Sequence, residues 1–410
     1  MTKSEAIIED GKKYLAANYN PLPFVTASGS GVWLYDADDK EYLDMLSCYS
    51  ANNFGNCNDD LVNALMEQTR KLAISPRCFW NDKLVEFAKK ITRFSGMDRV
   101  LPKNTGAEAV ESAILIARKF GYEHKEGGVE EGRAEIIACI DNFHGRTLGP
   151  RSMSTTYKYR HLFGPLGQGF SWVPFGDSNA LVEAINKNTV AFFVEPILGE
   201  GGIIVPPDGY LREVETICRQ HDVLLVVDEI QTGFGRTGYD FAYQYENVRP
   251  DLLKVKPDLL IVAKALGGGI LGISGVLGRD DVMSVIKPGD DGSTLGGNPL
   301  ACAVAIEAIE LLEREGLSEK ARSLGDYFIS RLKEIKSPLI KEVRGRGLMI
   351  GIEFVKEAGG ARQFCEQLGH EGVLCYYTHE NVLRLSPPLT IKKINLDWCL
   401  DKISKVLKRS

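Results

Sequence analysis

The chain has 410 residues, is 44% hydrophobic and 25% charged, and sets 49 Lys+Arg against 55 Asp+Glu for a net charge of −6. That length allows two or three domains around a large core, while the mild acidity removes the phosphate-neutralising field of a nucleic-acid protein and the basic patch of an anionic-membrane binder. No apolar run approaches the roughly 20 residues that span a bilayer; the nine Cys include no C-x-x-C and the six His no H-E-x-x-H, which leaves reduced thiols and no metal site.

The opening MTKSEAIIEDGKKYL has no charged-then-apolar secretory pattern, and its acids make a poor transit peptide, so a cytoplasmic location is expected. This stretch reads as irregular as far as NYNPLPF, where two prolines impose extended backbone. Val32–Tyr35, a DADDK turn and Tyr42–Met45 read as a β-hairpin. Helical patterns follow at about 60–73, 81–93 and 106–120. From there short apolar runs, Glu135–Ile140, Val190–Val194, Val223–Val227 and Leu259–Val262, alternate with helical patterns such as Ser178–Lys187 and Gly209–Gln220. Continuous apolar strands separated by helices indicate an α/β fold, with a mostly parallel central sheet covered on both faces. After Asn298-Pro299 the texture changes. Two long helices at about 299–315 and 317–335, a strand at Leu348–Phe354, a helix, a short strand at Val382–Leu385 and a closing helix read as a smaller α+β domain. The expected division is an N-terminal segment 1–49 packing with the small domain, a large domain 50–312 and a small C-terminal domain 313–410. PDLL occurs at Pro250–Leu253 and again at Pro257–Leu260, a local duplication expected to lengthen the loop before the next strand.

In open α/β sheets the chemistry gathers beyond the carboxyl ends of the strands. The residues found there are DNFHGR (141–146), EPILGEGG (195–202), DEIQ (228–231) and AKALGGG (263–269). Lys264 ends a strand that should be buried, where an ammonium is costly and tends to lose its proton. That suits a covalent-catalysis lysine, although a strand-end lysine can also reach solvent. Asp228 follows Val223–Val227 and requires a cationic partner, either an arginine or a protonated ring nitrogen. Thr105 and Glu108 fit a capping box, which turns the Gly106 and Ala107 amides toward a phosphate site, and plain capping explains the same letters. The G-x-G-x-x-G matches at Gly233 and Gly267 open no amphipathic helix and fail as dinucleotide fingerprints, and no G-x-x-x-x-G-K-[ST] is present.

Together, VVDEIQTGFGRTG, AKALGGG, NYNPLP and RLSPPL resemble the class III aminotransferases across essentially the whole chain. The resemblance implies pyridoxal 5′-phosphate as cofactor, the fold type I of such transferases, and a homodimer with shared active sites. It gives Lys264 the covalent hold on the cofactor and the proton shuttle, Asp228 the pyridine nitrogen, Phe143 the ring face, Gly106 and Ala107 the phosphate, Gln231 the 3′ oxygen, and Ser293 and Thr294 the phosphate of the neighbouring subunit. It also implies that Arg146 grips the distal carboxylate of 2-oxoglutarate or glutamate, Arg384 their α-carboxylate, and that Glu200 pairs with Arg384 at rest. Tyr19 and Tyr49 match tyrosines of the branch acting on L-ornithine, where they recognise its α-amino and α-carboxylate end. Acetylornithine and 4-aminobutyrate are the rival amino donors within the family. A non-catalytic scaffold is the rival outside it, opposed by the presence of Lys264, Asp228, Arg146, Glu200 and Arg384 together. Two departures stand out. His144 sits where a larger aromatic is more common, and is expected to alter only outer contacts. The PDLL duplication would turn Lys264 away if it shifted strand register by one residue, and a bulged loop is expected instead.

Overall fold

The computed structural model describes residues 1–155, 160–248 and 254–409. Its centre is a seven-stranded sheet. From one edge to the other the strands are Arg99–Lys103, Ser274–Gly278, Leu259–Val262, Leu224–Asp228, Thr189–Val194, Glu135–Cys139 and Phe170–Val173. Ser274–Gly278 runs antiparallel to both of its neighbours, and the other pairings are parallel. Strand side chains alternate between two cores. Ile137, Phe192, Leu225, Val227 and Leu260 belong to one. Ile136, Phe193, Leu224, Val226 and Ile261 belong to the other. Period-two side chains that are apolar on both faces are what a helix-covered parallel sheet requires. The strands Arg99–Lys103, Phe170–Val173 and Ser274–Gly278 have no distinct signature in the sequence, since Pro102, Ser171 and two glycines interrupt their apolar pattern.

Two four-stranded sheets flank this centre. One joins Ser28–Ser30, Trp33–Tyr35 and Glu41–Asp44 to Val373–Leu374, whose pairing with Glu41–Asp44 is parallel. The expected hairpin is thus extended by a third strand and tied to the C-terminal part of the chain. The other is antiparallel, with Ile340–Arg346, Met349–Phe354, Val382–Leu385 and Tyr376–Thr378 in spatial order.

The first residues differ from expectation. Lys3–Tyr14 is a helix, opened by a Thr2/Glu5 capping box and held by Lys3 and Ser4 amides donating to Asp38 at 3.0 and 2.9 Å. No residue of it is buried, so it lacks the apolar stripe by which a helix shows in sequence; the T-x-x-E signal was its only mark. Of the PDLL pair, Pro250–Leu253 lies outside the described residues. Pro257–Leu260 leads into a strand whose parallel register, Val226 opposite Leu259 and Asp228 opposite Ile261, is regular. Among the described residues no helix is long and apolar enough to cross a membrane, and no group of His, Cys, Asp and Glu could hold a metal.

Candidate active site

A cavity of about 540 Å³ opens beyond the carboxyl ends of the central strands. Lys264, Asp228, Phe143, Gln231, Glu200, Gly106 and Ala107 all line it. Lys264 follows the strand Leu259–Val262 at a φ of +46°, a left-handed conformation that an L-residue adopts at a cost. The backbone kink turns its side chain into the cavity and not along the strand. Burial pushes the Lys264 amine down to about 8, against which the Glu200 charge acts only in part. At pH 7, one unit below that value, about a tenth of it is an uncharged nucleophile, far more than an ordinary lysine offers.

Asp228 closes the adjacent strand and is buried. Its Oδ1 accepts from the Ile230 amide at 3.0 Å, and its Oδ2 lies 2.7 Å from His144 Nδ1. His144 is therefore a direct partner of Asp228, which places it one residue behind the carboxylate expected to hold the ring nitrogen. Burial opposes a charge on His144, but the bond and charge of Asp228, with Glu195 beyond, outweigh it and raise the imidazole above its ordinary value. Glu195, after the strand Thr189–Val194, also faces the cavity. Burial pushes its carboxyl up to about 7, although the Phe143 and Gly199 amides donate to it at 2.8 and 3.2 Å. The signal for Glu195 was present in the sequence, as a carboxylate immediately after a wholly apolar run. His144 had no comparable signal, because its partner lies 84 residues away.

The phosphate end is a helix start. Gly106–His124 begins with Thr105 as cap, and the Thr105/Glu108 capping box is present. Thr105 and Asn104 amides donate to Glu108 at 2.7 and 3.0 Å. The helix supplies no carbonyl to the Gly106 and Ala107 amides, which are left for an anion at the positive end of the dipole.

At the opposite side Arg384, 2% exposed, donates through Nη2 to Glu200 at 2.8 Å and to the Gly199 carbonyl at 3.2 Å. Its buried Nε and Nη1 have no partner among the described residues. Burial raises the Glu200 carboxyl, but the charge and hydrogen bond of Arg384 outweigh that and hold it below its ordinary value. The Tyr49 ring lies under the same guanidinium, 5.4 Å from centroid to Cζ. Gln231 Nε2 reaches the Tyr49 carbonyl at 3.5 Å. Arg146 is exposed and lies 5.4 Å from the Tyr19 ring and 5.9 Å from the Phe143 ring. Ser293 and Thr294 do not line this cavity. They line a separate surface depression with Ile74, Pro76 and Arg77, and Ser293 Oγ accepts from Asn104 Nδ2 at 2.9 Å.

Comparison with known proteins agrees with this geometry. The family model of the class-III aminotransferases matches residues 14–407. An ornithine aminotransferase of Brevibacillus brevis is 48% identical over 407 residues, covering 99% of each chain. The crystal structure of the ornithine aminotransferase from Toxoplasma gondii ME49 superposes with a TM-score of 0.95 at 40% identity, covering 100% of this chain and 96% of that one. The structure of an acetylornithine aminotransferase from Elizabethkingia anophelis gives a TM-score of 0.88 at 41% identity over 100% of both chains. A family match over nearly all of the chain, on a cavity that sets a deprotonable lysine beside a buried aspartate and a free helix start, means that this chain belongs to the class III aminotransferases, enzymes of fold type I that depend on pyridoxal 5′-phosphate.

Proposed function

We propose that the protein transfers the δ-amino group of L-ornithine to 2-oxoglutarate, yielding glutamate and glutamate 5-semialdehyde, which cyclises to pyrroline-5-carboxylate. The observation that carries this reading is the Arg384–Glu200 pair with Tyr49 against it. A substrate with two amines, one of them beside a carboxylate, must be read so that the distal amine enters. An open Arg384 would draw an α-carboxylate inward and present the α-amine. Glu200 masks it for ornithine, and its release exposes Arg384 for glutamate and 2-oxoglutarate. Once Glu200 leaves, Arg384 Nη2 is freed beside the buried, unpaired Nε and Nη1, and Nη2 with either of them can hold a carboxylate by two parallel bonds. Tyr19 and Tyr49 take the α-amino and α-carboxylate end of ornithine, and Arg146 the distal carboxylate of 2-oxoglutarate.

The residues present fit pyridoxal 5′-phosphate. Unpaired amides at Gly106 and Ala107 suit its phosphate, a buried carboxylate at Asp228 suits a protonated ring nitrogen, and Phe143 and Gln231 border the same cavity. When bound, the cofactor supplies a carbonyl that captures the amine and a ring that withdraws electrons. The chain does the rest. Lys264 Nζ holds the cofactor and then carries the proton to and from the amine-bearing carbon. Asp228 keeps a proton on the ring nitrogen, its other oxygen held by His144. Glu200 and Arg384 choose which end of the substrate enters.

Because Ser293 and Thr294 line a separate depression, we assign them to the phosphate of a neighbouring subunit in a homodimer. The division into 1–49, 50–312 and 313–410 and a cytoplasmic location complete the proposal. The pairing of Glu41–Asp44 with Val373–Leu374 supports packing of the first segment on the last.

The test is the visible spectrum of the cofactor-loaded protein. Its yellow band is expected to fade with L-ornithine alone and to return with 2-oxoglutarate. A band that ignores ornithine but fades with N-acetylornithine or 4-aminobutyrate would move the substrate to that rival. Lys264→Ala is expected to abolish turnover, and normal activity in that variant would remove the assignment.

A further inference from the structure

Arg236, in the GFGRTG segment, is fully buried and touches neither the cavity nor a carboxylate. Its guanidinium donates instead to four oxygens from separate parts of the chain. Nη1 reaches the Leu348 carbonyl at 2.9 Å and the Pro387 carbonyl at 2.6 Å. Nη2 reaches Ser47 Oγ at 2.9 Å and Asn53 Oδ1 at 2.6 Å. Burial pushes the guanidinium down to about 9, with the Asp44 charge acting against that. A charge so placed is costly, and a carbon side chain could fill the space.

Its partners sit next to the two substrate-reading groups. Ser47 begins four successive non-glycine residues in the left-handed region, with φ of +43°, +48°, +58° and +71° at Ser47, Cys48, Tyr49 and Ser50. Each costs roughly 1 kcal/mol or more, so such a turn persists only when its surroundings dictate it. Among the ties on it are Asp44 Oδ1, which accepts from the Leu46 and Ser47 amides at 2.9 and 2.7 Å, the Ser47 Oγ bond to the Ser386 carbonyl at 2.6 Å, and Arg236. On the other side, Pro387 lies three residues after Arg384, and Leu348 precedes the strand Met349–Phe354, on which Gly351 is paired with Arg384. One planar fork thus spans the turn that aims Tyr49 and the strand ends that aim Arg384.

Resting on the functional reading above, we infer that Arg236 is the positioning residue that sets Tyr49 against Arg384, and so governs recognition of the carboxylate-bearing end of both substrates without touching either. A lysine cannot replace it, because a single ammonium cannot span four acceptors held by a planar fork. The glycines around it serve the same junction. A Cβ on Gly347 would lie 2.4 Å from the Thr237 carbonyl carbon, and one on Gly238 would lie 2.7 Å from Arg322 Cβ.

The test compares substrates with and without a carboxylate. Arg236→Lys and the milder Ser47→Ala are loaded with cofactor, and the fading of the visible band is followed with L-ornithine, L-glutamate and 1,4-diaminobutane. The diamine has the amine spacing of ornithine but no carboxylate. Both variants are expected to raise the half-saturating concentration of ornithine and glutamate about tenfold or more, the loss that follows from a small displacement of binding groups. The diamine rate and the cofactor dissociation constant should stay within about twofold. Equal losses for all three amines would mean a merely structural role and would overturn the inference, as would unchanged ornithine and glutamate binding. If Arg236→Lys fails to fold, Ser47→Ala decides. Wild-type protein that does not respond to ornithine at all would overturn instead the functional reading beneath it.

Discussion

Lys264 shows how one side chain is prepared by its position. It lies at the end of a buried strand, and its kinked backbone turns it into the cavity. With its amine at about 8 and not at the ordinary 10.5, the uncharged form dominates above that pH. Covalent capture of added pyridoxal phosphate by the apoprotein is therefore expected to speed up with rising pH through a midpoint near 8 and then level off. Stopped-flow absorbance would show it, and a midpoint near 10.5 would mean that burial does not govern the amine. In the proposed function Tyr49 carries the substrate choice at the same scale. Tyr49→Ile removes a ring from the Arg384 guanidinium and a hydroxyl from the ornithine end of the site. Losing a hydrogen bond to a charged group costs about 1.5–3 kcal/mol, so kcat/KM for ornithine should fall about tenfold to a hundredfold while 4-aminobutyrate is better used. Unchanged ornithine kinetics with no gain for 4-aminobutyrate would show the role given to Tyr49 to be wrong. Lys264 was legible as a charge at the end of an apolar run, and Tyr49 was singled out only through the family resemblance. His144 was not legible, since only the folded sheet brings it to Asp228.

Among the elements, Gly325 sets propensity against packing. It sits inside the helix Leu317–Lys333, where alanine is intrinsically favoured by about 1 kcal/mol. A Cβ there would lie 2.0 Å from the Gly347 carbonyl oxygen and 2.2 Å from its carbon. That neighbour is backbone in a tight turn next to the Arg236 junction and cannot swing aside as a side chain would. Packing should win, so Gly325→Ala is expected to lower stability by about 1–3 kcal/mol, measured as a fall in Tm. A rise in Tm would show that the turn yields. Gly121 is also crowded, here by a side chain, with a Cβ only 2.2 Å from Val190 Cγ1. Neither glycine has a reason visible in its own helix. The G-x-G-x-x-G match at Gly233, Gly235 and Gly238 also resolves here. Gly235 and Gly238 have φ of +85° and +91° and pack against Leu389 and Arg322, so the spacing serves chain packing and no nucleotide.

At the scale of the whole molecule, several large apolar side chains remain open. Trp80 is 93% exposed and Phe79 67%, with Ile74 and Leu295 also open, and Ile74 shares its depression with Ser293 and Thr294. A tryptophan so placed is a characteristic anchor of a protein interface. The homodimer proposed above would cover it. Analytical ultracentrifugation is expected to show a dimer, and Trp80→Asp should weaken it by on the order of 2 kcal/mol or more, with cofactor lost as the subunits part. A monomer that keeps full cofactor affinity would remove Ser293 and Thr294 from the shared site.

The alternation of apolar strands and helices follows directly from sequence, because a strand buried on both faces must be continuously apolar. Lys264 and Asp228 stand out for a related reason, as charges set at the ends of such runs, where burial makes them costly, whereas Glu200 was named only through the family resemblance. The capping box at Thr105 is likewise local, complete within four residues. What lies beyond the reach of sequence is long-range pairing. The antiparallel strand Ser274–Gly278, the His144–Asp228 bond and the convergence of Ser47, Asn53, Leu348 and Pro387 on Arg236 join residues far apart in the chain. Periodicity records which face of an element is buried, but not what it is buried against. That choice belongs to the tertiary packing, and here the packing sets Tyr49 against Arg384 and Glu200.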